Sequence, residues 1–381
     1  MNAYYNPVPA IQGKGSTAKI PQLVKEILPE GGSVLLLAWG SPVFSMEPFQ
    51  TLMDQNEYCV IPMCFQESNP TVEQLYEIFE KTRTAAPKLV IAVGGGSVMD
   101  VGKSLCCLYG KPIASANDLR KRIIEKDYGK PLSKWIGVPT TAGTGSEVTC
   151  WATIWDPKEN TKRSVESKEN YACLAVVDPD LSEGMPVSLA VSSALDAAAH
   201  AAESFWAKHT NMTSRALALE AVRIIMSRID DLAAGDKSAC EAMSQGSLLA
   251  GMAFSNTKTT ACHSISYPLT MHCGIPHGTA VSLLLGPVFR INQEKTEGAE
   301  RLLAAFHVAD GYELEERIRG ILAKAGIPSS LKDWNVKREK LPYLASQGIT
   351  KGRADNNPEE LNVEMIEKIL ERIYESERGE N

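Results

Sequence analysis

Short, uninterrupted apolar runs constrain this chain more than any other feature. SVLLLA at 33–38 and LVIAV at 89–93 have the length of a strand and carry no outward polar position. That is the pattern of strands covered on both faces, as in a parallel sheet. VIP at 60–62 repeats the theme. The pieces between are helical: 13–28 places Ile20, Leu23, Val24, Ile27 and Leu28 on one face, and 72–84 follows the same period. Strand and helix in alternation predict a doubly wound α/β domain. ATIWDP from 152 reads as a further strand running into a turn, with KENTKR at its solvated tip, and LAVV from 174 as the last strand. Beyond it the periodicity is helical, over 188–208, 214–232, 239–255, 261–271, 279–293, 299–307, 312–325 and 359–375, with a polar loop at 347–360. The expected architecture is an N-terminal doubly wound parallel-sheet dinucleotide-binding domain, 1–181, followed by an all-α metal-binding domain, 182–381, with substrate between them.

A chain of 381 residues with 44% apolar content can bury the cores of two such domains. Its net charge of −7 offers no footprint for nucleic acid or an anionic membrane, so the expected partner is a small molecule. The first residues, MNAYYNPVPA, lack the basic start and apolar core of a signal peptide, and no run of eighteen apolar residues occurs. Nine cysteines without a C-x-x-C pair read as reduced thiols. A soluble cytoplasmic protein is expected, with a homodimer as the default assembly.

Chemistry concentrates in ACHSISYPLTMHCGIPHGT, 261–279, which holds three of the six histidines in an otherwise apolar and small-residue segment. His263 and His272, nine residues apart, fall on opposite faces of one helix and cannot serve one site. His277 follows Gly274 and Pro276, where the helix should break and a second one begin, and a broken helix can aim His263 and His277 at one point. Upstream, Asp196 and His200 are four apart on an alanine-rich helical run, hence on one face, and Glu203 continues the stripe. One carboxylate with three imidazoles suits Fe²⁺ or Zn²⁺ better than a hard, oxygen-seeking ion. Cys262 also adjoins the histidines, but one residue along a helix turns it about 100° away from His263.

Two loops of the α/β half complete the picture. VGGGSVMD at 93–100 is a strand, a glycine turn and a helix start, where free N–H groups and the helix dipole favour a pyrophosphate. By itself such a turn is an ordinary strand-to-helix connection. WIGVPTTAGTGSEVT at 135–149 follows an apolar strand with hydroxyls and glycines.

Taken together, DAAAH at 196–200, the helical histidine after it and GIPHG at 274–278 resemble the metal signature of the iron-containing (group III) alcohol dehydrogenases, with likeness from about Gly13 to at least Arg290. The resemblance implies a fold shared with dehydroquinate synthase and a hydride transfer between NAD(P)H and a small aldehyde or primary alcohol. Carried over residue by residue, it makes Asp196, His200, His263 and His277 the metal ligands, with Fe²⁺ as the ion and Zn²⁺ as the alternative. Gly94, Gly95, Gly96, Ser97 and Asp100, with Lys103, match the diphosphate loop. Thr140, Thr141, Thr144, Gly145 and Ser146 match the loop over nicotinamide and ribose, and Lys162 matches a lysine near the cofactor. Where family members carry an aspartate that favours NAD, this chain has Trp39, Gly40 and Ser41, which leaves room for a 2′-phosphate and points to NADPH ahead of NADH.

The chain departs from the family at Tyr267, which stands where many members have a second histidine four residues after the third ligand. The phenol is a candidate proton relay or merely a shaper of the pocket. The phrase CHSISYPLT, with ATIWD and AAESFW, is similar to the phosphonoacetaldehyde reductase branch, which would make the substrate a small anionic aldehyde reduced to 2-hydroxyethylphosphonate. Thr149, Arg163 and Lys258, with Ser146, are the candidate contacts for its phosphonate. The rival expectations are another alcohol or diol dehydrogenase of this fold, of butanol, propanediol or glycerol type, and a non-catalytic, metal-stabilised nucleotide-binding protein.

Overall fold

The computed structural model describes residues 3–375. Its strands are β1 (Ala10–Gln12), β2 (Gly32–Ala38), β3 (Tyr58–Cys64), β4 (Leu89–Gly94), β5 (Lys134–Pro139), β6 (Trp151–Asp156), β7 (Thr161–Glu166) and β8 (Leu174–Val177). Six of them form a parallel sheet in the order β1-β8-β5-β4-β2-β3, and β6 and β7 form an antiparallel hairpin. The chain separates into two compact units: Pro7–Thr141 with Ser146–Leu181, and Ser182 onward with Ala142–Gly145 and the segment ending at Asn6. That first segment is tied by hydrogen bonds from Tyr5 N to Asn256 Oδ1 and from Asn6 Nδ2 to Ser255 Oγ.

The uninterrupted apolar runs occupy the middle of the sheet, where β2 lies between β3 and β4, and Val34 to Ala38 and Leu89 to Val93 have no exposed surface. Pro62 sits in β3, an edge strand, where its missing N–H costs no interior ladder bond. After β3 the chain crosses β2 to build β4, so the strand order reverses between β2 and β4. At such a switch point the carboxyl ends of parallel strands leave a crevice for a ligand. The backbone locks the two ends together: Ala38 faces Val93, and Trp39 N donates to Val93 O at 2.9 Å.

Three sequence expectations are refined in the sheet unit and its neighbour. Residues 13–28 do not form one helix. Gly13 and Gly15 take positive φ, Asp178 accepts hydrogen bonds from Gly15 N, Thr17 N and Thr17 Oγ1, and the α-helix begins only at Ile20, with Pro21 in its first turn. The KENTKR tip is shorter than its charge suggests, because Asp156 pairs with Thr161 and Lys162 and Arg163 belong to β7. The helix expected over 279–293 is two, His277–Leu283 and Leu285–Asn292, and Pro287 is tolerated in the first turn of the second.

The helical unit is built on Val187–Trp206, flanked by Met212–Ala233, Cys240–Thr257, Ala261–Cys273 and His277–Leu283. No helix of the described residues is long and apolar enough to cross a membrane. The polar loop near the end is a clasp. Ser264 Oγ donates to Gly348 O at 2.6 Å and accepts from Thr350 N at 2.8 Å, and Asn356 Nδ2 donates to Thr257 O and Thr259 O. Asn357, fully buried, exchanges side-chain hydrogen bonds with Asn292.

In the sheet unit, burial pushes the Glu147 carboxyl up to about 7, against the pull of its own backbone N–H and the Lys103 ammonium. Between pH 4.5, the ordinary value, and about 7 the folded state keeps a proton that the unfolded chain releases. Stability therefore falls as pH rises through that window. Glu147→Gln should remove this slope, so the thermal midpoints of variant and parent, scanned from pH 4.5 to 7.5, should diverge in the variant's favour. Parallel curves would refute the assignment.

Candidate active site

Asp196, His200 and Glu203 project from one stripe of Val187–Trp206, at spacings of four and three, into the interior of the helical unit. Six alanines between Ala194 and Ala202, all without exposed surface, let the neighbouring helices approach that stripe closely. His263 lies in the first turn of Ala261–Cys273, and that helix ends at Gly274, whose φ is +69°. Pro276 then caps His277–Leu283, so His277 opens the new helix. The break brings His263 and His277 to the same carboxylate: Asp196 Oδ1 is 3.5 Å from His263 Nε2 and 4.0 Å from His277 Nε2.

Asp196, His263 and His277 offer donor atoms within 4.8 Å of one another. His200 lies beside this triad, with its ring stacked between those of His263, at 4.4 Å, and Phe254, at 4.3 Å. Its Nδ1 is 3.3 Å from Gly143 O and 3.9 Å from Asp196 Oδ2. His272 is outside the cluster; its Nε2 approaches Tyr343 Oη and its carbonyl accepts from Lys340.

Whether a metal suits these residues can be tested on their unsatisfied atoms. Asp196 Oδ1 and His263 Nε2 are buried and make no hydrogen bond among the described residues, although they face each other. Buried polar atoms are rarely left so, and a cation shared by both satisfies them. The protonation states agree. Burial lowers His200 to about 4, against the attraction of Asp196, and so keeps it in the neutral, ligating form. Burial acts to raise Asp196, but the nearby His200, His263 and His277 imidazoles hold it below the usual carboxylate range. Burial lifts the Cys262 thiol well above its ordinary value, which leaves it a poor source of thiolate. The nitrogen and oxygen donors fit a divalent first-row ion, and the His277 side chain, 35% exposed, marks the open side.

Glu203 has a role that its place on the stripe only hinted at. Its Oε1 accepts from Thr260 N, Thr260 Oγ1, Cys262 N and His263 N, at 3.1, 2.8, 2.7 and 3.3 Å. It thereby caps the helix that carries His263, and its Oε2 hydrogen-bonds His263 Nδ1. A carboxylate on Nδ1 fixes the tautomer in which Nε2 presents a lone pair to a metal. Against burial, these two carboxylates hold His263 up to about 9; the field that attracts a proton there equally attracts a cation.

Gly278 explains the last letter of the P-H-G signature. A Cβ at this position would overlap the carbonyl oxygen of Ser192, one turn before Asp196. Only glycine lets the helix that opens with His277 lie so close to the helix that carries Asp196. Tyr267, one turn beyond His263, stacks on His277 with centroids 5.9 Å apart and planes 7° apart. Arg353, from the clasp, lies over the Tyr267 ring at 4.9 Å. Burial raises the phenol's pKa, with Arg353 opposing, so Tyr267 is neutral at physiological pH.

The remaining candidates are distributed as follows. In the sheet unit, Trp39, Gly40 and Ser41 follow β2, while Gly94 ends β4 and Gly95 caps the helix Gly96–Leu108, so both loops border the switch point. Ser97 Oγ accepts from Asn69 N, and Thr140 N donates to Gly94 O, which holds the Thr140–Thr141 turn against the glycines. Lys103 has no exposed surface and donates to Ser146 Oγ, Thr149 Oγ1 and Trp151 O. Asp100 accepts from Ser146 Oγ and Thr153 N. Lys103 and Asp100 thus stitch the helix to the 146–153 segment. Arg163 is bonded to Asp156, and Lys162 covers the Trp155 ring at 4.0 Å. In the helical unit, Thr144 precedes Gly145, whose φ of +56° and contact with Gly251 leave no room for a side chain. Lys258 is exposed there.

Comparison with known proteins decides the family. Residues 7–179 match the model of the iron-containing alcohol dehydrogenases, and residues 190–374 match that of the C-terminal part of the same family. The chain is 31% identical over 315 residues to the lactaldehyde reductase of Escherichia coli strain K12, covering 80% of this chain and 82% of that one. The chain belongs to the iron-containing alcohol dehydrogenase family. It is 29% identical over 319 residues to the NADPH-dependent butanol dehydrogenase of Clostridium saccharobutylicum, with 81% and 82% of the two chains covered. In three dimensions it matches the sulfoacetaldehyde reductase of Bifidobacterium kashiwanohense, solved in complex with NAD⁺, at a TM-score of 0.86 and 28% identity over 99% of this chain and 100% of that one. The protein is thus an oxidoreductase of the iron-type alcohol and aldehyde dehydrogenases, a family that uses iron and NAD(P).

Two variants test the support of the metal centre in this dehydrogenase. Glu203→Ala leaves the first-turn donors of a buried helix unpaired and should lower stability by about 3 kcal/mol. It should also weaken iron retention by about 10- to 100-fold, read as metal content after dialysis against graded chelator. Gly278→Ala should displace His277 and lose iron with the sheet unit unaffected; retention of iron equal to the parent's would sink the close-approach argument.

Proposed function

We propose that this enzyme catalyses a metal-assisted hydride transfer between a nicotinamide cofactor and a small aldehyde, and that its substrate carries an anionic group, with phosphonoacetaldehyde reduced to 2-hydroxyethylphosphonate. The observation that carries the reading is the pair of orphaned buried donors, Asp196 Oδ1 and His263 Nε2, aimed at one point beside His277. Asp196, His200, His263 and His277 would hold an Fe²⁺ ion, with Zn²⁺ acceptable to the same donors, and the ion supplies Lewis acidity toward the carbonyl oxygen. The balance is aldehyde plus NAD(P)H plus a proton, giving alcohol plus NAD(P)⁺.

The protein's own groups have three tasks. Asp196 and Glu203 place negative charge in a dry interior, which selects a cation and keeps His263 aimed. Gly94, Gly95, Gly96, Ser97, Asp100, Thr140, Thr141, Thr144, Gly145, Ser146 and Lys162 are proposed to shape the nucleotide site. Trp39, 44% exposed, with Gly40 and Ser41 presents no carboxylate after β2, which favours the 2′-phosphate of NADPH. The neutral Tyr267 phenol is a candidate to deliver the proton to the oxygen that gains charge. Support for an anionic aldehyde comes from the three-dimensional likeness to a sulfoacetaldehyde reductase, and support for NADPH from the likeness to an NADPH-dependent butanol dehydrogenase. A cytoplasmic homodimer remains the working assumption for the assembly.

A steady-state assay of the iron-reconstituted protein with NADPH and NADH, against phosphonoacetaldehyde, propanal and lactaldehyde, tests this. The expected result is NADPH oxidation fastest with the phosphonate, abolished by chelation while the far-ultraviolet circular dichroism is unchanged. Turnover of the neutral aldehydes alone would discard the anionic substrate, and no turnover by iron-loaded protein would discard the enzyme.

A further inference from the structure

The clasp at 348–357 brings an arginine, from far along the chain, to the ring that stacks on His277. Arg353 Nε donates to Thr259 Oγ1 at 3.2 Å, and its guanidinium lies over Tyr267, the same ring that stacks on His277. Its backbone is fixed on both sides. Arg353 N donates to Thr350 O, and Asn356 N to Arg353 O, while Ser264 and the Asn356 side chain tie the flanks to the helical unit. The two Nη groups form no hydrogen bond or ion pair among the described residues, which is unusual for a half-buried guanidinium in an acidic chain. One edge of the fork is therefore anchored and the other is free.

We propose that Arg353 is the residue that recognises the anionic end of the substrate, a phosphonate or sulfonate carried on a small aldehyde. The inference rests on the reading of this enzyme as a reductase of anionic aldehydes and names the group that selects them. A guanidinium presents paired N–H donors that match two oxygens of a tetrahedral oxyanion, and stacking on an aromatic face pre-orders it. Here the aromatic face is Tyr267, so the ring that borders His277 also sets where the positive charge stands. Arg353 and His277 are thus linked through one aromatic ring, Tyr267. The other cations considered for this task have different surroundings: Arg163 is committed to Asp156, and Lys258 is exposed.

The test uses the iron-loaded enzyme and its Arg353→Gln and Arg353→Lys variants with phosphonoacetaldehyde, sulfoacetaldehyde and propanal. Arg353→Gln should raise KM for both anionic aldehydes by about ten- to a hundredfold and change kcat/KM for propanal less than about threefold, with Arg353→Lys between parent and Gln. Calorimetric titration with 2-hydroxyethylphosphonate, which needs no turnover, should show the same loss of affinity. A parent enzyme that prefers propanal would overturn the anionic substrate and this inference with it. A parent that prefers the anions, with Arg353→Gln unchanged or equally impaired on propanal, would overturn the role of Arg353 alone.

Discussion

A carboxylate with no exposed surface, Glu203, holds the centre together. Removing such a charge from water is expensive unless every lone pair is used, and here three backbone N–H groups, one hydroxyl and one imidazole converge on it. Two of the backbone donors, Cys262 N and His263 N, are first-turn amides of Ala261–Cys273, which have no partner within their own helix, and the third belongs to its capping residue, Thr260. One anion thereby caps the helix, sets its starting point against Val187–Trp206 and selects the tautomer of its histidine. Because Asp196 and His200 share the stripe with Glu203, the position of His263 relative to them follows from the same contact.

The rest of the centre depends on how closely backbones can approach. His277 meets Asp196 because a helix broken at Gly274 restarts at Pro276, and because Gly278 lets the restart lie against the Ser192 carbonyl. Gly145 and Gly251 make a second such approach, in the segment that also brings the Gly143 carbonyl to His200. The donor cluster is thus assembled by small residues and carboxylate-anchored turns, with Phe254 and Tyr267 stacked on two of its imidazoles. That arrangement gives the donors little freedom to follow a metal that prefers a different geometry.

Much of this was legible in the chain. Uninterrupted apolar runs locate β2 and β4, the opposition of His263 and His272 removes His272 from the site, and glycine before proline breaks the helix where the structure does. What escaped has a common physical cause: it depends on partners far apart in sequence. Residues 13–28 look helical by period, but Asp178, some 160 residues away, draws the Gly15 and Thr17 amides into a turn. Lys103 looks like part of a ligand-binding loop, yet its three acceptors lie beyond residue 145. Glu203 fell on the right stripe, but its value lies in amides some sixty residues on. Residues 347–360 read as a polar loop because Arg353, Asn356 and Asn357 are polar, and their burial depends on hydrogen bonds to Thr257, Thr259 and Asn292.

Tyr267 and Arg353 make sense of each other. A histidine at 267, beside a guanidinium at 4.9 Å and already stacked on His277, would be driven toward its neutral form in this buried setting and would compete for protons poorly. A phenol carries no positive charge in either protonation state, gains from a cation over its ring, and is held below the rise that burial alone would give it. A phenol at 267 thus suits the arginine that the clasp delivers. Ser264, next to His263, binds that clasp through both Gly348 and Thr350, so the helix that aims the imidazole also fixes the place of the cation. Metal ligand, aromatic ring and the clasp that carries the arginine are therefore all referred to one helix.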